Sequence, residues 1–408
     1  MTDTDNFDYN NTWDVINELF ADKRRLVNHH LVSFNNFIEV LIPQTLNEFS
    51  PQKIYYDFDE KLSKFKKEIH ISFKESFISK PVINENNGTI NVMYPNEARL
   101  RKLTYAGTLS CNILIETFKH NNDKMELSDS SVYKNIIIGK IPIMVGSKYC
   151  VLNNHSNITK KDMNECKFDE GGYFIVLGSE KVIIPQEVKC PNKVYIFPPT
   201  KNLTKCSKIA EITSITKNNL SNVKPLQVKL YNRNNKYGKT VKVDIKRFKS
   251  DIPLFIIFRA LNIISDKSII EHIVYDIDNA DNLELINLLE ASLEESSHIK
   301  TKEMALQFLS KYSTAKFDYK NNQELTDENR IKYVEDILLS ELLPHVGDLP
   351  IKKAYFLGYM VNRLLSAELG YVEYDDRDSF MNKRVESTGN LLNTLFRTNF
   401  NKVIKDMR

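Results

Sequence analysis

The 408-residue chain has little of what marks specialised protein classes. Gly (12) and Pro (13) are scarce, which excludes collagen-like and linker-dominated architectures. The five cysteines, Cys111, Cys150, Cys166, Cys190 and Cys206, form no CxxC pair. A zinc knuckle therefore lacks the close ligand pairs that fix tetrahedral geometry, and the odd count reads as reduced thiols in an intracellular protein. No apolar run approaches the ~20 residues that cross a bilayer. The polar, acidic stretch Met1–Asn11 is unlike a secretory signal. Large net charge is missing too: 56 Lys and Arg against 53 Asp and Glu leave +3, which excludes a binder working by bulk positive charge. The generic catalytic signatures (a Walker A loop, a GxSxG elbow, HExxH, GxGxxG after a strand) are not found.

What is present reads as an ordinary globular protein of two or three domains, with 42% apolar and 27% charged residues. Residues 1–11 read as a disordered tail, and Thr12 as the cap of a helix carrying Trp13, Ile16, Leu19 and Phe20 toward a core. A second helix carries Leu31, Phe34, Phe37, Ile38, Leu41 and Ile42, with Pro43 as its stop. Ile69, Ile71 and Phe73 alternate as a strand, and Asn86-Asn87-Gly88 marks a hairpin turn. Strands are expected at Leu109–Ile115, Ile136–Ile138 and Ile141–Val145, with a polar loop from His120 to Ser131. Gly171-Gly172 reads as a turn before a strand, Ser179-Glu180-Lys181 as a tight turn, and Val182–Ile184 as a returning strand. Alternation continues through Val228, Leu230, Val241, Val243 and Ile245; helical periods follow at 285–309, 352–369 and 392–407. The class is α+β, with mixed helices and antiparallel sheets.

Charge is unevenly placed. Between Lys201 and Lys249, thirteen Lys and Arg face only Glu211 and Asp244, whereas Glu271–Glu303 has nine acids against Lys300 and Lys302. The basic stretch, with Lys236, Lys239 and Lys242, fits contacts to nucleic-acid phosphates; it equally fits a solvated surface balanced by the acidic half. Asp375, Asp376 and Asp378 have the i, i+1, i+3 spacing of a hard-cation site, but Arg377 among them equally fits a salt-bridged turn. The helical period at the end of the sequence meets no Gly or Pro terminator, so the chain is expected to be part of something longer.

Several segments resemble the second-largest subunit of DNA-directed RNA polymerases of the eukaryotic polymerase II type, the relatives of the bacterial β subunit. They run collinearly from about Trp13 to Arg408. Tyr94-Pro95-Asn96-Glu97-Ala98-Arg99-Leu100-Arg101-Lys102-Leu103-Thr104-Tyr105 is one; Ile141-Pro142-Ile143-Met144-Val145-Gly146-Ser147 is the next. Cys166 to Ile175, Gly178-Ser179-Glu180-Lys181-Val182, Leu226 to Tyr231, Asp251-Ile252-Pro253, Ile257 to Leu261 and Phe356 to Met360 follow. Asp375 to Asp378, Asn382-Lys383-Arg384 and Gly389 close the series. Val145-Gly146 and Ser379-Phe380-Met381 depart from the family's usual residues, which puts local contacts in doubt but not membership.

The resemblance implies a protrusion (residues 12–208), a lobe inserted into it (209–374), and a return to the protrusion and the start of the fork (375–408). It implies a subunit of a nucleotidyltransferase that forms one side of a DNA cleft, with no catalytic or metal residue of its own. In the family, the Mg2+ of catalysis belongs to the largest subunit and a Zn2+ to the C-terminal part of the second. The implied partners are the largest subunit, the rest of the second subunit, other polymerase subunits, the DNA template and general transcription factors, with no membrane. The implied location is the nucleus, or the virion and host cytoplasm for a viral source. Arg377, Asp378, Asn382, Lys383 and Arg384 are the residues expected to approach nucleic acid, unless they form a salt-bridge network that holds the fork in place. A free-standing module binding nucleic acid or transcription factors is the alternative.

Overall fold

The structure, a computed structural model, describes residues 9–21, 24–59, 64–121, 124–154, 163–166, 168–198, 206–216, 219–235, 238–314, 317–318, 323–324 and 326–407. The chain forms two compact units, one of residues 1–187 and 385–408, the other of residues 188–384. Among the described residues no helix is long and apolar enough to cross a membrane.

The first unit is built on a four-stranded antiparallel sheet in the order Gln52–Asp59, Lys64–Ile78, Ala106–Asn121, Lys124–Pro142. Its core joins Phe34, Phe37, Leu46, Tyr105, Cys111, Ile143 and Phe174 to Phe400 and Ile404 of the Thr388–Met407 helix. Phe400 makes edge contacts with Phe49 and Phe73, at ring separations of 5.5 and 5.1 Å. The expected hairpin at Asn86–Gly88 joins Val82–Asn84 to Ile90–Val92, with Asn87 Oδ1 accepting from the Thr89 amide at 3.0 Å.

The same unit corrects several expectations. The first described helix, Tyr9–Ala21, begins ahead of Thr12 and leaves Trp13, Leu19 and Phe20 exposed. Residues 1–8 of the expected tail lie outside the described residues. Pro43 does not stop the second helix. A π turn at Phe37–Leu41, in which the Ile42 amide donates to Phe37 O, leads into a further helix at Ile42–Glu48. The widened turn accommodates a residue that has no N–H to donate. In its described residues, 120–121 and 124–131, the polar stretch is ladder, not loop, with Glu116 opposite Ser130 and Phe118 opposite Leu127. Pairing is carried by the backbone and needs no apolar side chain. The tight turn expected at Ser179–Lys181 is itself a strand, paired with Phe174–Val176, and Val182–Ile184 forms none.

Three of the family-like segments meet in this unit. Arg99, on the Pro95–Leu100 helix, donates to Glu165 (3.1 Å), Glu180 (2.8 Å) and the Tyr173 hydroxyl (2.6 Å); Tyr173 donates to Asp169 at 2.5 Å. Burial first, then the Asp169 contact, pushes the Tyr173 hydroxyl well above the ordinary phenol range, so it remains a donor.

The second unit carries a five-stranded antiparallel sheet in chain order: Tyr195–Phe197, Cys206–Thr216, Asn219–Asn235, Gly238–Ile245, Ile252–Pro253. Val228, Leu230, Val241 and Val243 are fully buried against helices, among them the wholly buried Leu254–Ala260 and the amphipathic Pro350–Glu368. Arg259 is buried inside this core. It donates to Ser296 O (2.7 Å), Ile299 O and Asp266 (2.5 Å), so the charge is satisfied rather than stranded.

Candidate nucleic-acid interface

The Pro350–Glu368 helix ends in a tight reversal. Gly370 takes φ +82°, and the Tyr371 amide reaches back to Ser366 O at 2.9 Å. The chain then runs along the strand Tyr195–Phe197. The Asp375 amide donates to Ile196 O (3.1 Å), and Asp375 Oδ2 accepts from the Ile196 amide (2.8 Å) and from Arg363 (3.3 Å). Arg363 also donates to Val194 O at 2.8 Å, so it fixes both partners of the clamp.

Beyond the clamp, Asp376 Oδ1 accepts from the Asp378 amide at 2.8 Å, a short side-chain turn. Asn382 is the buried hub of the segment. Its Nδ2 donates to Asp376 O (2.7 Å) and its Oδ1 accepts from Lys193 Nζ (2.5 Å). Its carbonyl accepts from the Cys190 amide (2.8 Å) and the Tyr195 hydroxyl (3.2 Å). Burial pushes that hydroxyl up to about 12, and Cys190 and Asp375 add to the shift, so it stays protonated and donating.

Cations gather over the aromatic rings of this strand. Tyr195 and Phe197 stack with ring centroids 5.8 Å apart and planes 5° from parallel. Lys189 lies 5.4 Å and Lys193 5.5 Å from the Tyr195 centroid, while the Arg377 guanidinium lies 3.8 Å from that of Phe197. The rings are buried and cannot stack on bases; they hold the cations in place. Arg377, Asp378 and Arg384 are exposed, with Arg384 donating to Lys383 O at 2.7 Å. Lys383 is half-buried, with its ammonium 5.8 Å from the Phe380 ring. Five sequence-predicted positions, Arg377, Asp378, Asn382, Lys383 and Arg384, are thus brought into one segment. The sequence reading missed Lys189, Lys193, Tyr195, Phe197 and Arg363. The first four share a legible signal, lysines four apart followed by aromatics two apart on one strand face.

The three lysines are placed differently. Lys236 lies outside the described residues. Lys239 Nζ sits 2.5 Å from Glu368, and Lys242 Nζ 2.7 Å from Glu295 and 5.6 Å from the Tyr231 ring. Both are engaged by carboxylates of the helices packed on the sheet. The Asp375 and Asp376 carboxylates are engaged by protein groups, and among the described residues no three His, Cys, Asp or Glu form a group that could hold a metal ion.

A sequence model of the RNA polymerase beta subunit family matches residues 25–408, and the chain belongs to that family. It is 38% identical to the DNA-directed RNA polymerase II subunit RPB2 of Eremothecium gossypii, over 97% of this chain and 33% of that protein. It is 31% identical to the DNA-directed RNA polymerase subunit 2 of Acanthamoeba polyphaga mimivirus, over 98% of this chain and 34% of that protein. The DNA-directed RNA polymerase subunit Rpo2N of Methanothermobacter thermautotrophicus is 29% identical over 97% of this chain and 73% of its own length. The chain spans about a third of the eukaryotic and mimivirus relatives, corresponding to their N-terminal third.

Proposed function

We propose that this chain is the N-terminal portion of the second-largest subunit of a DNA-directed RNA polymerase, lining one side of the DNA cleft and working only within that assembly. The carrying observation is the family match across residues 25–408. Arg377 and Arg384, exposed at the end of the clamped segment, are the cations offered to nucleic-acid phosphates. Phosphate contacts of this kind position a duplex without reading its sequence. The partners in this reading are the largest subunit, the remainder of the second subunit, the other polymerase subunits, the DNA template and general transcription factors. Nucleotidyl transfer belongs to the assembled enzyme, with Mg2+ held by the largest subunit and Zn2+ by the C-terminal part of the second. The protein then resides in the nucleus or, for a viral gene, in the virion and host cytoplasm, as the eukaryotic and mimivirus relatives suggest.

Affinity purification of the tagged chain from its native source tests this. The expected eluate contains a largest polymerase subunit and synthesises RNA from template, NTPs and Mg2+, while the chain purified alone is inert. Recovery of the chain with no other polymerase subunit, or robust synthesis by the chain alone, would overturn the reading.

A further inference from the structure

The clamped segment carries an apolar tip that contacts to phosphate do not use. Phe380 and Met381 are 80% and 83% exposed, the two most exposed large apolar side chains among the described residues. The next residue, Asn382, is buried. The segment therefore buries an amide and shows water a phenyl ring and a thioether, the reverse of the ordinary preference. The tip is a single 3-10 turn, Phe380–Asn382, closed by the Asn382 amide donating to Ser379 O at 2.9 Å. Asn382 Nδ2, donating to Asp376 O at 2.7 Å, ties that turn to the clamp. At this exposure both faces of the Phe380 ring are largely open, and the Lys383 ammonium lies 5.8 Å from its centroid. Between positions 377 and 384, Arg377, Lys383 and Arg384 outnumber the single acid, Asp378.

We infer that this tip stacks on an unpaired base, so that the clamped segment takes single-stranded nucleic acid as well as duplex phosphates. The inference rests on the reading of Arg377 and Arg384 as cations offered to phosphates. An open aromatic face beside excess positive charge is the combination that single-strand binders use: cations follow the backbone and the ring takes a base, whatever its identity. In a duplex the base faces are already covered by their neighbours, and parting them costs free energy. An unpaired strand presents a face without that cost. The turn is fixed by its own hydrogen bonds, so little backbone freedom is lost on binding. Met381 adds a polarisable side chain that adapts to the base or sugar beside it. A purely apolar pocket of a polypeptide would cover the ring but leave the cations unmatched; a nucleic-acid strand meets both.

Fluorescence anisotropy tests it, with the purified 408-residue chain titrated into labelled oligothymidylate, an abasic strand of the same length and charge, and a duplex. Oligothymidylate should bind about tenfold more tightly than the abasic strand. Phe380→Ala should remove most of that difference and leave duplex affinity unchanged; Phe380→Trp should keep the difference. Trp13→Ala, which removes an exposed aromatic beside Asp14 and Glu18, should change nothing. Arg377→Ala/Arg384→Ala should weaken both single strands alike. Circular dichroism checks the fold of each variant, and Phe380→Gln takes the place of the alanine variant if that one misfolds. Equal affinity for oligothymidylate and the abasic strand, a difference that survives Phe380→Ala, or an equal loss in Trp13→Ala would overturn the stacking and leave the tip to a polypeptide partner. Absence of binding to any strand would overturn the stacking and the phosphate reading together. If Phe380→Ala closes the gap while the arginine variant weakens neither strand, the stacking stands and the phosphate reading alone falls.

Discussion

At the scale of residues, the second unit turns an uneven charge distribution into matched pairs. Cations on and beside the sheet meet acids in and at the ends of the helices: Lys242 with Glu295 at 2.7 Å, Lys224 and Arg247 with Glu341 at 3.2 and 3.0 Å, Lys208 and Lys239 with Glu368 at 3.4 and 2.5 Å. Most of these carboxylates are largely buried, which makes the pairs worth more than open surface contacts. Burial works to raise the Glu368 carboxyl, but the hydrogen bond and charge of Lys239, with Lys208, outweigh it and hold the group below the ordinary carboxylate range. A depressed folded-state pKa stabilises the fold above the unfolded value, about 4.3, and that stabilisation is lost as pH falls through the folded value. Glu368→Gln should therefore cost about 1–2 kcal/mol at pH 7 in urea unfolding, with the gap closing toward pH 3. A gap that does not vary with pH would show that shape, not charge, holds this corner together.

At the scale of elements, one close approach sets the geometry between two helices. A Cβ on Gly358 would lie 2.1 Å from His272 O, a backbone atom that cannot swing aside. This gives a physical reason for glycine in the family-like run Phe356-Leu357-Gly358-Tyr359-Met360. Gly358→Ala should force the Asp266–Val274 and Pro350–Glu368 helices apart at a cost of about 3 kcal/mol, read as a lowered denaturation midpoint. A loss below about 0.5 kcal/mol would mean that the pair slides freely. The elements legible in the sequence share a feature: one face is buried. Val228, Leu230, Val241 and Val243 alternate because one side of the sheet is core, and Leu357, Met360, Val361 and Leu364 recur because one stripe of the helix is. The elements missed lack that signal. The ladder residues 125–130 show water their side chains, and the π turn before Pro43 is a backbone adjustment with no signature in composition. Within the candidate site, the charged run 375–384 was legible as a motif. Its clamp was not, because Asp375 and Ile196 are 179 positions apart and nothing local to either announces the other.

For the whole molecule, the distinction between engaged and offered cations decides which positive charges can serve a DNA duplex. Each phosphate neutralised by Lys or Arg releases condensed counterions, so the slope of log affinity against log salt counts the cations actually in contact. Lys239 and Lys242 already face Glu368 and Glu295, and moving them to phosphate would strip Glu295 of its cation and leave Glu368 with Lys208 alone among the lysines. Arg377 and Arg384 are held by a ring face and a backbone carbonyl, neither of which cancels their charge. In the assembled enzyme, Arg377→Ala/Arg384→Ala should reduce the magnitude of the salt slope for DNA binding by about 1–2 and weaken affinity uniformly across sequences. Lys239→Gln/Lys242→Gln should leave the slope unchanged and lower unfolding stability instead, because its cost falls on the partly buried glutamates, Glu295 above all. The opposite pattern, a slope that responds to the lysines and ignores the arginines, would relocate the DNA-facing surface to the basic sheet and assign the clamped segment a purely structural role.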